Sequence, residues 1–179
     1  MKGRNLVIET IRTRRSVREF DRRPISEDEI NLILESARWA PSGRNNQPWK
    51  FAVIRDPSLK KSLSALTHYG SVIQGAPVCI AVFLDHSRSY DRTKDVQAIG
   101  ASIQNMLLTI HSMGLGGVWL GEILKNKEKV AQLLEAGEGL ELMAVIAFGH
   151  PKEEEMKGLG AKGESAMRAP LEEKVFFKK

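Results

Sequence analysis

The run Val78, Cys79, Ile80, Ala81, Val82, Phe83, Leu84 constrains this chain more than any other segment. It is bounded by Pro77 and Asp85. Side chains alternate between the two faces of a strand, so an unbroken apolar run reads as a strand buried on both faces. The run is far too short to span a bilayer. A strand of this kind needs apolar cover above and below, and helices are the usual source. Cys79 inside the run reads as a small core residue rather than a nucleophile. It is the only cysteine, so no intrachain disulfide can form and nothing points to an oxidising compartment.

The cover is legible elsewhere. Ser26 stands three residues before Glu29, a capping box that opens a helix. Ile30, Leu32, Ile33, Leu34, Ala37 and Trp39 follow, and Pro41 is the expected stop. Residues 92–113 form the longest expected helix. Val96, Ile99, Ile103, Met106, Leu107 and Ile110 recur at helical spacing, and Gly114 ends it. Residues 4–13 are amphipathic, with Leu6, Val7, Ile8 and Ile11 as the apolar set. Asp56 and Pro57 read as N-cap and first residue of a helix to about Leu66, and Asn126 as the cap of a helix to about Glu135. Strands are expected at 51–54, 117–120 and 142–148. Helices and strands alternate without a strict βαβ rhythm, so the fold class is α+β, a sheet layered by helices.

With 179 residues the chain is one domain, 1–179, and large enough to bury a core without disulfides or metal. From about 151 to 179 it is a charged, glycine-containing tail that ends in Val175, Phe176 and Phe177. Two terminal phenylalanines are costly to leave in water. The simplest reading packs them on a second subunit; a tail loosely docked on its own subunit is the alternative. The N-terminus has no apolar signal region, so a cytoplasmic protein is expected.

The net charge is +5, and Arg4, Arg12, Arg14, Arg15, Arg18, Arg22 and Arg23 crowd the first 23 residues. Nucleic acid, a membrane surface and a small anion all suit a basic balance. His68, His86, His111 and His150 share no metal-ligand spacing, and no G-x-S-x-G elbow occurs. Gly158, Gly160 and Gly163 spell G-x-G-x-x-G. The motif follows a polar run rather than a strand and has no βαβ unit around it, so it reads as a tail loop.

Three clusters remain. In the first, Arg14, Arg15, Ser16 and Arg18 offer forked guanidinium donors and a hydroxyl that suit a phosphate, if a helix ends nearby; a solvated basic face is the plain alternative. A nucleic-acid patch would want interleaved aromatic readers, and only Phe20 is near. In the second, Pro41, Ser42, Gly43, Arg44, Asn45, Asn46 and Gln47 join a helix to a strand. Asn45, Asn46 and Gln47 suit the edge of a flat heterocycle, or the loop is an ordinary connection. In the third, Gly114, Gly116, Gly117 and Gly121 surround Val118, Trp119 and Leu120, letting backbone approach a ligand, or simply capping a helix before a strand.

In order along the chain, RRSVREF, PISEDEINLILESARWAPSGRNNQPWKF, APVCIAV, GLGGVWLGEI and MRAPLEE resemble the nitroreductase family of FMN-dependent oxidoreductases. The resemblance covers nearly the whole chain. It implies a central mixed, largely antiparallel sheet layered by helices, and a homodimer whose C-terminal tail wraps the partner subunit. FMN would lie between subunits. Arg14, Arg15, Ser16 and Arg18 match phosphate and ribityl contacts, and Arg168 a further contact to the phosphate. Pro41, Ser42, Gly43 and Asn45 match a loop lent by the other subunit. Trp119, Leu120, Gly121 and Glu122 match the segment against the isoalloxazine, with the backbone N–H of Gly121 or Glu122 toward flavin N5. The implied reaction moves a hydride from NAD(P)H through N5 to a flat electron-poor acceptor, a nitroaromatic or quinone, with no side-chain acid or base. Arg14 is the candidate to stabilise reduced flavin near N1 and O2. Alternatives are a flavin-binding or redox-sensing protein without turnover, a relative with dehalogenase or flavin-fragmenting activity, and a nucleic-acid binder. No metal, nucleic acid or membrane partner is implied. Two departures stand out: Ala166 replaces a second C-terminal lysine seen in some members, and only residues 85–93 lie between the central strand and the long helix, which suggests an open active site.

Overall fold

The computed structural model describes residues 5–155 and 168–178. The apolar run becomes β2 (Val78–Asp85), buried along its whole length. It lies inside a four-stranded sheet with β1 (Trp49–Ile54), β3 (Gly116–Leu120) and β4 (Leu140–Gly149), in the order β1-β2-β4-β3. All three ladders are antiparallel. Among the described residues, the parallel component of the expected mixed sheet is a bridge between Ser16 and Gly117.

Alternation along β2 divides the core into two layers. Val78, Ile80, Val82 and Leu84 face one side, with Ile146 and Phe148 of β4. They pack against α2 (Glu27–Arg38) and α5 (Arg92–Ser112) through Ile30, Ile33, Ile99, Ile103, Met106 and Ile110. Cys79, Ala81 and Phe83 face the other side. There α3 (Pro57–Ser64), α4 (Gly70–Gly75) and α6 (Lys127–Leu133) supply Leu63, Ile73 and Val130. A bulge at Val82/Phe83 shifts the β2–β4 register. Burial pushes the Cys79 thiol up to about 12, which removes any nucleophilic thiolate at neutral pH.

The caps form as the sequence requires. Glu29 N–H donates to Ser26 Oγ (3.2 Å), and Ser26 N–H to Glu29 Oε2 (2.8 Å). Asp56 accepts from Leu59 N–H at 2.7 Å. Asn126 departs from expectation. It ends a 3-10 turn, Glu122–Asn126, that runs directly into α6, and its amide reaches across to donate to Leu66 O at 2.8 Å. The helix therefore lacks the expected side-chain cap. The short helix α4 was not foreseen; six residues between two glycines are too few for a period to register.

The first helix, α1 (Leu6–Thr13), buries none of its residues. Leu6 and Val7 are 72% and 66% exposed. At the other end of the chain, Phe176 and Phe177 are 82% and 89% exposed, so the tail does not dock them on its own subunit. The glycine motif of residues 158–163 and Ala166 lie outside the described residues.

Candidate functional site

The site begins where α1 ends. Thr13 closes the helix and Arg14 is its C-cap, with extended backbone (φ −58°, ψ 131°). The chain then runs past the start of β3. Ser16 bridges Gly117, and Val17 N–H donates to Gly117 O at 3.2 Å. Gly116 is required here, because a Cβ on it would lie 2.6 Å from Val17 Cγ1. The strand and the arginine segment are therefore held in direct backbone contact.

Arg14 is half-buried. Burial, then the charges of Arg168 and Arg15, push its guanidinium below its ordinary value. The fold thus gathers three cations from residues 154 positions apart, against their mutual repulsion. Arg15 is partly committed elsewhere: its Nη1 donates to the carbonyls of Arg12 (2.7 Å) and Arg14 (2.9 Å), capping the end of α1. Arg18 diverges from the others. Its side chain folds back on Ser16 O (3.4 Å), and its N–H donates to Glu155 Oε1 (2.8 Å).

His111, near the end of α5, was not singled out by sequence, yet it anchors the cluster. Thr13 Oγ1 donates to Glu9 O at 2.8 Å, so its single proton is spent. The 2.8 Å contact with His111 Nε2 must then carry the imidazole proton, which fixes the Nε2–H tautomer. Burial first, then Arg14 and Arg15, lower the His111 pKa and keep the ring neutral.

Further along β3, Trp119 is 42% exposed and Leu120 is buried. The chain turns at Gly121 into Glu122. Among the described residues, the main-chain N–H groups of Gly121 and Glu122 have no acceptor. The Glu122 side chain is fully engaged: it pairs with Lys125, accepts from Thr67 Oγ1 (2.6 Å) and accepts from His68 N–H (3.1 Å). Lys125, then Thr67, hold the carboxyl down to about 2, so it exchanges no proton near neutrality. Gly117 and Gly121 are four residue steps apart along the strand, about 13 Å at 3.3 Å per residue. Guanidinium groups at one end of that span and free N–H donors at the other suit an extended ligand with an anionic terminus.

The second cluster lies elsewhere. Gly43, Arg44 and Asn45 form a 3-10 turn in which Arg44 (φ 53°) and Asn45 (φ 55°) are left-handed, and Gln47 (φ 48°) repeats this. Ser42 Oγ accepts from Gln47 N–H at 3.0 Å, and exposed Pro41 leads in. Gly43 packs on Tyr90, whose ring also carries the Arg44 guanidinium at 4.9 Å. Asn46 does not face a ligand, as its type had suggested. Its amide donates to Arg88 O (2.9 Å) and to Asp95 Oδ1 (2.6 Å), bracing the loop to the start of α5. His111 and Asp95 are 16 residues apart on one helix, about 24 Å at 1.5 Å per residue. Within one chain, the loop and the arginines stand at opposite ends of α5.

Among the described residues, no three His, Cys, Asp or Glu side chains are grouped to hold a metal ion, and no helix is long and apolar enough to cross a membrane.

The chain is thus an α+β domain, a sheet covered by helices on both faces, with a cluster of guanidinium groups suited to an anion beside edge strand β3. A family model for the Nitroreductase family matches residues 11–70 and 64–150, and the chain belongs to that family. It is similar to a crystal structure of a nitroreductase in complex with FMN from Desulfovibrio desulfuricans, with 41% identity, 99% of each chain covered and a TM-score of 0.88. A protein of Archaeoglobus fulgidus assigned as an NADH dehydrogenase/NAD(P)H nitroreductase is 36% identical over 82% of this chain and 86% of its own. The NADPH:FMN oxidoreductase of Vibrio harveyi complexed with NAD+ is 25% identical, with a TM-score of 0.78 over 83% of this chain and 70% of that one.

Proposed function

We propose that this protein is an FMN-dependent NAD(P)H oxidoreductase that works as a homodimer and reduces flat, electron-poor acceptors such as nitroaromatics or quinones. The observation that carries the reading is the span along β3, with Arg14 and Arg168 near Ser16 and the unaccepted N–H groups of Gly121 and Glu122 four to five residues further on. The donor set fits FMN: guanidinium groups for the phosphate, and a main-chain N–H for a ring nitrogen.

FMN, when bound, supplies the hydride chemistry between the nicotinamide and the acceptor. The chain's own residues bind and orient. Arg14 and Arg168 neutralise the phosphate, with Arg15, Ser16 and Arg18 nearby. The N–H of Gly121 or Glu122 is directed by the pinned Glu122 side chain. Trp119 and Leu120, on the strand that leads to these donors, would flank the ring. No side-chain acid or base is called for, and Glu122, held ionised, offers none.

Two observations support the dimer. The loop of Pro41, Ser42, Gly43 and Asn45 is braced at Asp95 and the arginine segment at His111, about 24 Å apart along α5, which favours their serving one flavin from different chains. A second copy brings its loop to the site. Leu6, Val7, Leu32, Trp39, Phe176 and Phe177 are exposed and want cover, and a tail wrapped on the partner provides part of it. The connection of residues 85–93, with one 3-10 turn, leaves little to roof the site, which favours flat acceptors over one shaped substrate. Cytoplasmic residence belongs to the same proposal.

The test is reconstitution. Purified protein loaded with FMN should elute as a dimer with two flavins, and NADH or NADPH should drive acceptor reduction. A monomer that retains FMN would refute the shared site. Flavin that neither nucleotide reduces would favour a carrier without turnover.

A further inference from the structure

Asp95 sits one turn inside α5 and is completely buried. No lysine or arginine pairs with it among the described residues. Its charge is met by donors alone. Oδ1 accepts from Asn46 Nδ2 (2.6 Å); Oδ2 accepts from Ser89 Oγ (2.6 Å) and from the N–H groups of Tyr90 (3.1 Å) and Asp91 (3.2 Å). A buried carboxylate without a cation is tolerated only where such donors are complete, so the two halves of this set are mutually dependent.

The two oxygens serve different segments. Oδ2 holds residues 89–91, which lead into α5. Oδ1 holds Asn46, whose second amide proton goes to Arg88 O (2.9 Å). Asn46 stands between three non-glycine residues in left-handed conformation, Arg44, Asn45 and Gln47. Such residues persist only where the surroundings over-determine them. Loop-internal bonds from Gln47 to Ser42 and Asn45 are exposed or half-buried, whereas the Asn46–Asp95 bond is the loop's anchor to the core.

We propose that Asp95, acting through Asn46, is the positioning residue that sets the loop of Pro41, Ser42, Gly43 and Asn45 for the flavin of the partner subunit. The proposal rests on the FMN-dimer reading above. Asp95 touches no ligand; it fixes the geometry of a loop that completes a site on the other chain. Their pairing is not legible in sequence, because they are 49 positions apart.

Substitution separates the two halves. In Asp95→Asn the remaining oxygen can still serve residues 89–91, but the new amide faces the Asn46 amide, donor against donor. Asn46→Ala removes the loop anchor and leaves Oδ2 and its partners intact. In the double variant Asp95→Asn/Asn46→Asp the donor and acceptor exchange places, so the bond between the two side chains is restored while the bond to Arg88 O is lost.

FMN dissociation constants would be measured by flavin fluorescence on the folded dimers. Asp95→Asn and Asn46→Ala should each weaken binding about tenfold or more, and the double variant should bind more tightly than Asp95→Asn alone, recovering part of that loss. A purely structural role for Asp95 gives no recovery. Dimers mixed from an Arg14→Ala chain and an Asp95→Asn chain should hold one site of wild-type affinity and one doubly weakened site. Two equally weakened sites would show the loop acting within its own chain and overturn the proposal. Wild-type binding by both Asn46→Ala and Asp95→Asn would overturn it as well, while leaving the FMN reading intact. Failure of the wild-type protein to bind FMN would overturn the reading beneath it. Should Asp95→Asn not fold, Asn46→Ala, alone and mixed with the Arg14→Ala chain, decides the matter.

Discussion

Gly116→Ala places a single methyl group at the junction that carries the account. The new Cβ would stand 2.6, 2.7 and 2.8 Å from Val17 Cγ1, Cβ and Cγ2. Ordinary contact begins near 3.4 Å, so Val17 must retreat by about 0.7 Å, and its Cβ cannot move by rotamer change alone. Val17 is buried, and it is tied to Gly117 O by its own N–H. Overpacking of this kind costs about 1–3 kcal/mol. For a chain of this length that is a fall of about 2–4 °C in Tm for each kcal/mol. The displacement passes directly to Arg14, Arg15 and Ser16. Restoring the arginines to a phosphate then draws on binding energy, and about 1.4 kcal/mol of it weakens FMN tenfold. Thermal unfolding without ligand and FMN titration measure the two effects separately. Gly117→Ala is the control: its Cβ would meet Ile110 Cγ2 at 3.2 Å, a contact the neighbour can ease by a few tenths of an ångström. If Gly116→Ala binds FMN as tightly as the wild type while losing stability, the arginine segment does not hold the phosphate.

Four further outcomes follow from the structure. Arg14→Ala and Arg168→Ala should each weaken FMN by roughly ten- to a hundredfold, as expected for a charge-assisted contact of about 1.5–3 kcal/mol, and should leave riboflavin binding unchanged; calorimetric titration with both ligands checks this. The neutral state of His111 gives a stability slope: with its folded pKa lowered below the ordinary histidine value, the unfolded chain binds the extra proton, so stability declines as pH falls through about 6.5. His111→Gln should flatten that slope in denaturant melts between about pH 7 and 5. At lower pH, Glu141, held at about 2 by Arg92 and then Lys127, contributes stability present above its ordinary 4.5 and lost on acidification toward 2; Glu141→Gln should remove that acid-side step. Phe176→Ser/Phe177→Ser should leave the folding stability of the subunit unchanged within about 0.5 kcal/mol and weaken the dimer, read by sedimentation, because both rings are uncovered within the chain.

Much of the scaffold was legible because it depends on local rules. The run 78–84 dictated a strand buried on both faces, and Ser26 with Glu29 dictated where α2 begins. The arginine cluster was legible in type but only partly in geometry. Arg15 spends part of its guanidinium on helix carbonyls, and Arg18 turns toward Ser16 O, choices set by where α1 happens to end. Asn46 looked like a ligand reader and is a brace, because a buried carboxylate far along the chain claims its amide. Asp95 did leave a trace: it lies four residues before Ile99 on the buried stripe of α5, where an acidic residue is out of place unless partnered. His111 left none, since its role depends on which proton Thr13 has already given away.

The central claim is that this chain holds FMN and passes electrons to it from a nicotinamide. The measurement that tests it most directly is the visible spectrum of the FMN-loaded protein under anaerobic titration with NADH and then NADPH. The account predicts a flavin spectrum that bleaches at one equivalent of nucleotide per bound flavin and returns on addition of a quinone or nitroaromatic. A protein that retains no flavin after incubation with FMN, or a bound flavin that neither nucleotide bleaches, would contradict it.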